Sequence, residues 1–192
     1  LTPLCGLERI MGSTAGFDRL LSISPSPANA VTFCIGCFAE MGAELVLVDI
    51  GRDLPGVPYP LGSASQLGHT ARLCREHAAA VLTIEADVRD VDALQGVVDT
   101  TLARFGQLDV VLNNAGIAGP SEPLERTTID EWNELFAVNV QGILHTTQCC
   151  FEALRESRGC ILNTSSIVGE MGQAAHAAYA ATKGAVNALT RS

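Results

Sequence analysis

Four short apolar runs, each separated from the next by a segment of helical length, constrain this chain more than any other feature. Residues 44–50 (ELVLVDI), 81–86, 108–112 and 160–164 are rich in Val, Leu and Ile and lack a sustained polar alternation. That is the pattern of strands buried on both faces. Between them, residues 65–79 carry Leu67, Ala71, Cys74 and Ala78 at helical spacing. Residues 91–105 place Val91, Leu94, Val97, Val98, Thr101 and Leu102 along one side. Residues 128–156 read as one long helix, with Thr127 or Thr128 as its cap and Glu131 as the capping-box partner of Thr128. A last helix runs from His176 to the end. Strands that alternate with helices in this way predict an α/β fold: a Rossmann-like, doubly wound parallel sheet with helices on both faces and right-handed crossovers. Residues 1–192 are expected to form one domain. The first 43 residues follow the rhythm poorly, since Pro25 and Pro27 interrupt any long element. Residues 51–68 are expected to be loop, with Pro55, Pro58 and Pro60 breaking regular structure.

Charge and composition narrow the partners. The formal charge is -9 and no Lys/Arg cluster occurs, which argues against nucleic acid. Apolar runs such as 45–48 are too short to cross a membrane, and the opening lacks a basic region followed by an apolar one, so neither an anchor nor a signal peptide is expected. Seven scattered cysteines fit a reducing, cytoplasmic setting. Cys34-Ile35-Gly36-Cys37 reads either as a redox pair or half a zinc site, or as small residues buried in an apolar stretch, 31–41, that looks helical. The second reading is favoured because no second C-x-x-C exists. His69, His77, His145 and His176 are too dispersed for a metal site, and none is expected.

The residues that carry chemistry lie toward the end of the chain. Tyr179 and Lys183 are four apart on a helix, which stacks them on one face. An ammonium beside a phenol favours the phenolate and lowers a pKa that is ordinarily about 10. A phenol tuned in this way serves as a general acid or base near neutral pH. Ser166 follows the strand 160–164 and precedes Tyr179 by thirteen positions. Asn113-Asn114-Ala115-Gly116 closes the strand 108–112. Open α/β sheets place ligands beyond such strand ends. Asn139 sits inside the long helix, where Asn is a poor helix former and needs a structural or catalytic reason to be present.

Taken together, Asn-Asn-Ala-Gly, the mid-helix Asn139, Ser166 and Tyr-x-x-x-Lys resemble the short-chain dehydrogenase/reductase family in order and spacing, over roughly residues 38–191. The resemblance implies an NAD-dependent alcohol dehydrogenase or carbonyl reductase, with a small-molecule alcohol or carbonyl as substrate. It implies that Tyr179 is the acid/base. On the same resemblance Lys183 would lower the Tyr179 pKa and bind the nicotinamide ribose, Ser166 would hold the substrate oxygen, and Asn139 would hold a relay water. Asp87 and Val88 would meet the adenine, although Asp87 could also cap the next helix. Asn113, Ala115 and Gly116 would line the cofactor. Asp49, at the end of the strand 44–50, could accept both adenosine ribose hydroxyls and would repel a 2′-phosphate. It therefore favours NAD over NADP, with nearby Arg52 as the counter-argument. The Pro-rich segment 54–61 resembles the mycofactocin-coupled branch, which includes carveol-dehydrogenase-like members; the plainer reading is a surface loop. Homo-oligomers would form through the two long helices.

The chain departs from the family at both ends. In place of Thr-Gly-x-x-x-Gly-x-Gly it offers Gly12-Ser13-Thr14-Ala15-Gly16-Phe17-Asp18, with Asp18 where a glycine belongs, or the strand-like 20–24 followed by Pro25 and Pro27. Neither is a good pyrophosphate cradle. The sequence stops within its last helix, so the substrate-binding tail of the family is expected to be missing. A second reading is accordingly an impaired fragment that acts as an interaction partner, and a third is a redox or metal module built on Cys34 and Cys37.

Overall fold

The computed structural model describes residues 43–76 and 80–192. The glycine-containing and proline-containing candidates for the pyrophosphate turn, and Cys34 and Cys37, lie outside these residues. So does Ala78, one of the positions expected on the first helix. The described residues fall into two compact units, one of residues 43–47, 66–76 and 80–83, the other of 48–65 and 84–192.

The elements follow the predicted alternation. They are β1 (Leu45–Asp49), α1 (Ala64–Glu76), β2 (Val81–Glu85), α2 (Val91–Phe105), β3 (Val110–Asn113), α3 (Ile129–Phe136), a π turn (Ala137–Gln141), α4 (Gly142–Ser157), β4 (Cys160–Asn163), α5 (Val168–Met171) and α6 (Ala177–Arg191). A short 3-10 turn, Leu124–Arg126, precedes α3. Hydrogen bonding groups the described strands as two pairs, β1 with β2 and β3 with β4. The β3–β4 pair is parallel, from Val110 beside Cys160 to Asn113 beside Asn163. In the first pair, Leu45 N–H donates to Ala80 O and Ala86 N–H donates to Asp49 O, so these strands also run the same way. Each pair is joined through helix, as parallel neighbours require.

In the first unit, Leu47, Ala71 and Cys74 form a small core with Leu45, Leu67 and Val81. These include three of the helix positions that the spacing singled out. In the second unit, Val98 of α2, Val111 of β3, and Cys150 and Leu154 of α4 make one cluster. Leu54, Val57, Ile117, Leu135, Val138 and Ala178 make another, beside the chemistry-bearing residues. Each of these Val, Leu and Ile side chains contributes roughly 1.5–3 kcal/mol by leaving water.

Helix boundaries follow local chemistry. The Asp90 side chain accepts from Ala93 N–H to start α2, and Gly106, at φ 82°, ends it in the left-handed conformation that favours glycine. Thr128 and Glu131 form the anticipated capping box, and the hydrogen bonds from Thr128 hold the exposed Glu131 carboxyl below its ordinary range. Two expectations need correction. Val91 is 47% exposed, because as the first residue of α2 it extends beyond the face that Leu94, Val98 and Thr101 bury. The long helix is not uniform, since it widens into a π turn at 137–141.

Candidate active site

Helix α6 carries Tyr179 and Lys183 on an alanine-rich sequence well suited to a helix. Lys183 is 5% exposed, and burial lowers the pKa of its ammonium. The group is not left unpaired, because Nζ donates to the main-chain oxygen of Thr164 at 2.7 Å. It also stands 5.7 Å from the centre of the Tyr179 ring. The ammonium and the aromatic ring thus lie side by side on one face of α6.

Ser166 is brought to the same helix by the end of β4. The ladder runs one bond past the strand, with Thr164 N–H donating to Asn113 O at 3.0 Å. Ser165 Oγ then donates to Lys183 O at 3.1 Å, and Ser166 Oγ accepts a long bond from Val168 N–H at 3.4 Å. Behind Ser166, α5 lies almost directly on α6. A β-carbon on Gly169 would sit 2.6 Å from Lys183 C and 2.8 Å from Gly184 N. Those are backbone atoms, which cannot swing aside. Gly169→Ala is therefore expected to destabilise the protein by about 1–3 kcal/mol through overpacking, to push α5 away from α6 and to lower turnover by shifting the Ser166 loop that leads into α5. A urea titration alongside a turnover assay checks this; an unshifted midpoint with full turnover refutes it.

Asn139 lies within the π turn and is 1% exposed. Its Oδ1 accepts from Ile117 N–H at 2.8 Å, while Nδ2 donates to Ile117 O at 2.8 Å and to Thr182 Oγ1 at 3.0 Å. The amide thus mimics a strand partner for the residue just past Asn-Asn-Ala-Gly. This explains why a poor helix former occupies the turn. Within the π turn, Gly142 N–H reaches back to Ala137 O, and such single-turn expansions occur frequently at functional sites. Gly116 completes the cluster, since a β-carbon there would approach Asn139 Oδ1 to 3.2 Å and Lys183 Nζ to 3.7 Å. Asn139, Lys183, Gly116 and the Ser166 loop are therefore neighbours, as the order of the motifs implied.

The residues expected to hold a dinucleotide occupy strand ends. Ala115 and Gly116 are exposed just beyond β3, whereas the buried Asn113 is turned inward and donates from Nδ2 to Asn163 Oδ1 at 2.9 Å. The Asn113 side chain thus ties the two strands together, and any cofactor contact from it would come from the main chain. Asp49 ends β1, with Oδ1 accepting from Gly51 N–H at 2.8 Å. Val88 packs on the first turn of α4, where a β-carbon on Gly142 would meet its Cγ2 at 2.7 Å. Asp87 does not cap α2, because Asp90 does. Instead Asp87 is gripped by Arg89, whose Nε and Nη2 donate to its two oxygens at 3.0 and 2.6 Å. The Arg89 hydrogen bonds hold the Asp87 carboxyl below the usual range, against the opposing effect of burial, and Asp87 in turn raises the Arg89 pKa. Arg52 lies 3.7 Å from the same carboxylate, and Arg89 reaches Glu134 at 3.6 Å. The two guanidinium groups are thus balanced by two carboxylates. The Arg52 charge is directed toward Asp87, which weakens its claim as a receptor for a 2′-phosphate.

Sequence reasoning missed four participants. Arg89 and Glu134 bear no motif, and Thr182 is hidden in the Tyr-x-x-x-Lys spacing. Tyr59 belongs to the Pro-rich segment, which is a docked loop and not a plain surface one. Leu54 and Val57 are buried in the core, and Tyr59 Oη accepts from Ala118 N–H at 2.7 Å. The only signal available was the presence of apolar and aromatic residues among the prolines.

A nicotinamide dinucleotide fits these residues. The described strand ends present a carboxylate at Asp49 and exposed backbone at Ala115 and Gly116, α6 adds the Lys183 ammonium, and Gly116 leaves bare the space that a side chain would fill.

Comparison with known proteins shows the family. The short chain dehydrogenase family profile matches residues 57–192. A (-)-trans-carveol dehydrogenase of Rhodococcus erythropolis is 35% identical over 156 residues, 80% of this chain and 56% of that protein. An L-fucose dehydrogenase of Oryctolagus cuniculus is 36% identical over 154 residues, 80% of this chain and 49% of its own length. The chain thus spans about half the length of the curated relatives it matches. Among solved structures, a carveol dehydrogenase from Mycobacterium avium in complex with NAD superposes with a TM-score of 0.77 at 29% identity, covering 81% of this chain and 57% of that one. The profile, the relatives and the superposition point the same way: the chain belongs to the short-chain dehydrogenase/reductase family, in its carveol-dehydrogenase-like branch.

Proposed function

We propose that this chain is the catalytic part of an NAD-dependent oxidoreductase that interconverts a small-molecule alcohol and its carbonyl. The observation that carries the reading is the buried Lys183 ammonium, fixed to Thr164 O and set against the Tyr179 ring. In oxidation, the Tyr179 phenolate takes the alcohol proton; in reduction, the phenol returns it to the carbonyl oxygen. The Lys183 ammonium offers positive charge beside the phenol oxygen when that oxygen is negative, and Ser166 donates a hydrogen bond to the substrate oxygen as charge develops on it. The nicotinamide, when bound, accepts or supplies the hydride. Lys183 would also hold the nicotinamide ribose, and a relay water at Asn139 would be held by its main-chain oxygen, since the side-chain amide is committed to Ile117 and Thr182. Asp49 would select NAD by accepting the ribose hydroxyls, Asp87 and Val88 would meet the adenine, and Asn113, Ala115 and Gly116 would line the groove through main-chain atoms.

Relatives named for carveol and L-fucose support a secondary alcohol as the substrate class. Self-association through α4 and α6 belongs to the same reading. Leu144 and Phe151 on α4 are 43% and 55% exposed, which suits a contact between copies. Among the described residues no helix is long and apolar enough to cross a membrane. A reducing cytoplasmic setting fits thiols such as Cys150, pushed up to about 11 by burial and by neighbouring Cys149 and therefore poorly reactive.

Fluorescence titration tests the cofactor assignment. Wild-type protein is expected to bind NADH at submillimolar concentration and NADPH more weakly. Asp49→Ala is expected to narrow that ratio by about tenfold, the equivalent of ~1.4 kcal/mol. An unchanged ratio would remove Asp49 as the selector, and failure of the wild type to bind either dinucleotide would remove the enzymatic reading.

A further inference from the structure

We propose that Thr182 is a positioning residue that locks Asn139 to the backbone of Tyr179. The inference rests on the oxidoreductase reading, and it assigns work to a side chain that the Tyr-x-x-x-Lys motif leaves undefined. Thr182 is fully buried at 0% exposure, one position before Lys183. Its hydroxyl donates to Tyr179 O at 2.7 Å. With its only hydrogen so used, Oγ1 faces Asn139 as an acceptor and receives Nδ2–H at 3.0 Å.

The direction of every bond in this chain is set. Ile117 N–H can only donate, so Asn139 Oδ1 must face it. The amide nitrogen then has two hydrogens and two acceptors, Ile117 O and Thr182 Oγ1. Flipping the amide would set NH₂ against Ile117 N–H and an oxygen against Ile117 O. Thr182 thus completes a connected series from the end of β3, through the π turn, to the carbonyl of Tyr179. Buried networks of this kind hold one geometry when every member is satisfied and lose it when one is removed. Gly116 and Lys183 Nζ border the same amide, so rotation of Asn139 would disturb the groups around the proton-transfer residues.

Three variants test the lock. Thr182→Val keeps the shape and removes the hydroxyl; Thr182→Ser keeps the hydroxyl and removes a methyl; Thr182→Ala removes both. The readouts are the exchange rate of the Ile117 amide by NMR, and kcat, KM and the pH profile of NAD⁺ reduction with cyclopentanol or another secondary alcohol that the wild type oxidises. Thr182→Val and Thr182→Ala are expected to speed Ile117 exchange at least tenfold while amides of α2 stay protected. They should also lower kcat by tenfold or more with KM little changed, and shift the limb of the pH profile that reports the acid/base group. Thr182→Ser should stay within threefold of wild type on all counts. Ile117 protection and kcat unchanged in Thr182→Val would overturn the proposal. A Ser variant as impaired as the Val variant would overturn it too, because the role would then be packing. A wild type without turnover sinks the oxidoreductase reading, while Ile117 exchange still decides whether the lock exists.

Discussion

Tyr179→Phe is expected to abolish turnover while leaving NADH binding within about threefold of wild type. The substitution removes one oxygen and leaves the ring, which packs beside the core cluster of Leu135, Val138 and Ala178. General acid–base catalysis by a positioned side chain accounts for about 10²–10⁴-fold in rate, and that is the expected loss in kcat. The check is steady-state oxidation of a secondary alcohol beside a fluorescence titration of NADH. Equal activity in the variant would refute the acid/base role of Tyr179. Loss of turnover together with loss of NADH binding would mean that the ring and not the hydroxyl had been doing the work.

Lys183→Met separates catalysis from stability more sharply. In the proposed mechanism the buried ammonium serves the phenol, and the fold carries a cost for holding it. Burial lowers the folded-state pKa from its ordinary value of 10.5. The unfolded chain therefore keeps this proton to higher pH than the folded one. Where the unfolded state binds more protons, stability rises with pH. The Lys183 contribution to unfolding free energy is thus least favourable at neutral pH. It improves as pH climbs through the depressed pKa toward 10.5.

Methionine has a similar length and no charge. Thr164 is exposed, so its carbonyl can turn to water once the ammonium is gone. Lys183→Met is expected to lower kcat/KM by at least ~10²-fold, and to leave unfolding free energy at pH 7 unchanged or higher by roughly 0–2 kcal/mol, as when function is exchanged for stability. The alkaline rise in stability due to Lys183 should vanish in the variant. Urea midpoints at pH 7, 9 and 10 measure this. A variant markedly less stable at pH 7 would show that the Thr164 bond outweighs desolvation of the charge.

Much of the site was legible before any coordinates because its signals are local. The four-residue step from Tyr179 to Lys183 depends only on helix pitch. The capping box of Thr128 and Glu131 lies within one turn, and the apolar stripe of Leu94, Val98 and Thr101 within three. What could not be read was the partner of each polar group. Asp87 is spoken for by Arg89 and Arg52, Asn113 faces Asn163 across two strands, and Tyr59 spans to Ala118. The helix period gave no warning of the π turn, since a run that continues helical on either side of one extra residue looks uninterrupted.

The sequence by itself determined which stretches become strand or helix, which family of chemistry they serve, and that a phenol and an amine share a helix face. Those properties are set by residues within a turn or two of one another. Only the tertiary structure decided that Lys183 would be desolvated, that Gly169 would bring α5 directly onto the backbone of α6, and that Thr182 would hold Asn139. Burial and hydrogen-bond direction depend on segments tens of residues apart, and they exist only once packing has removed the water that would otherwise compete for every polar group.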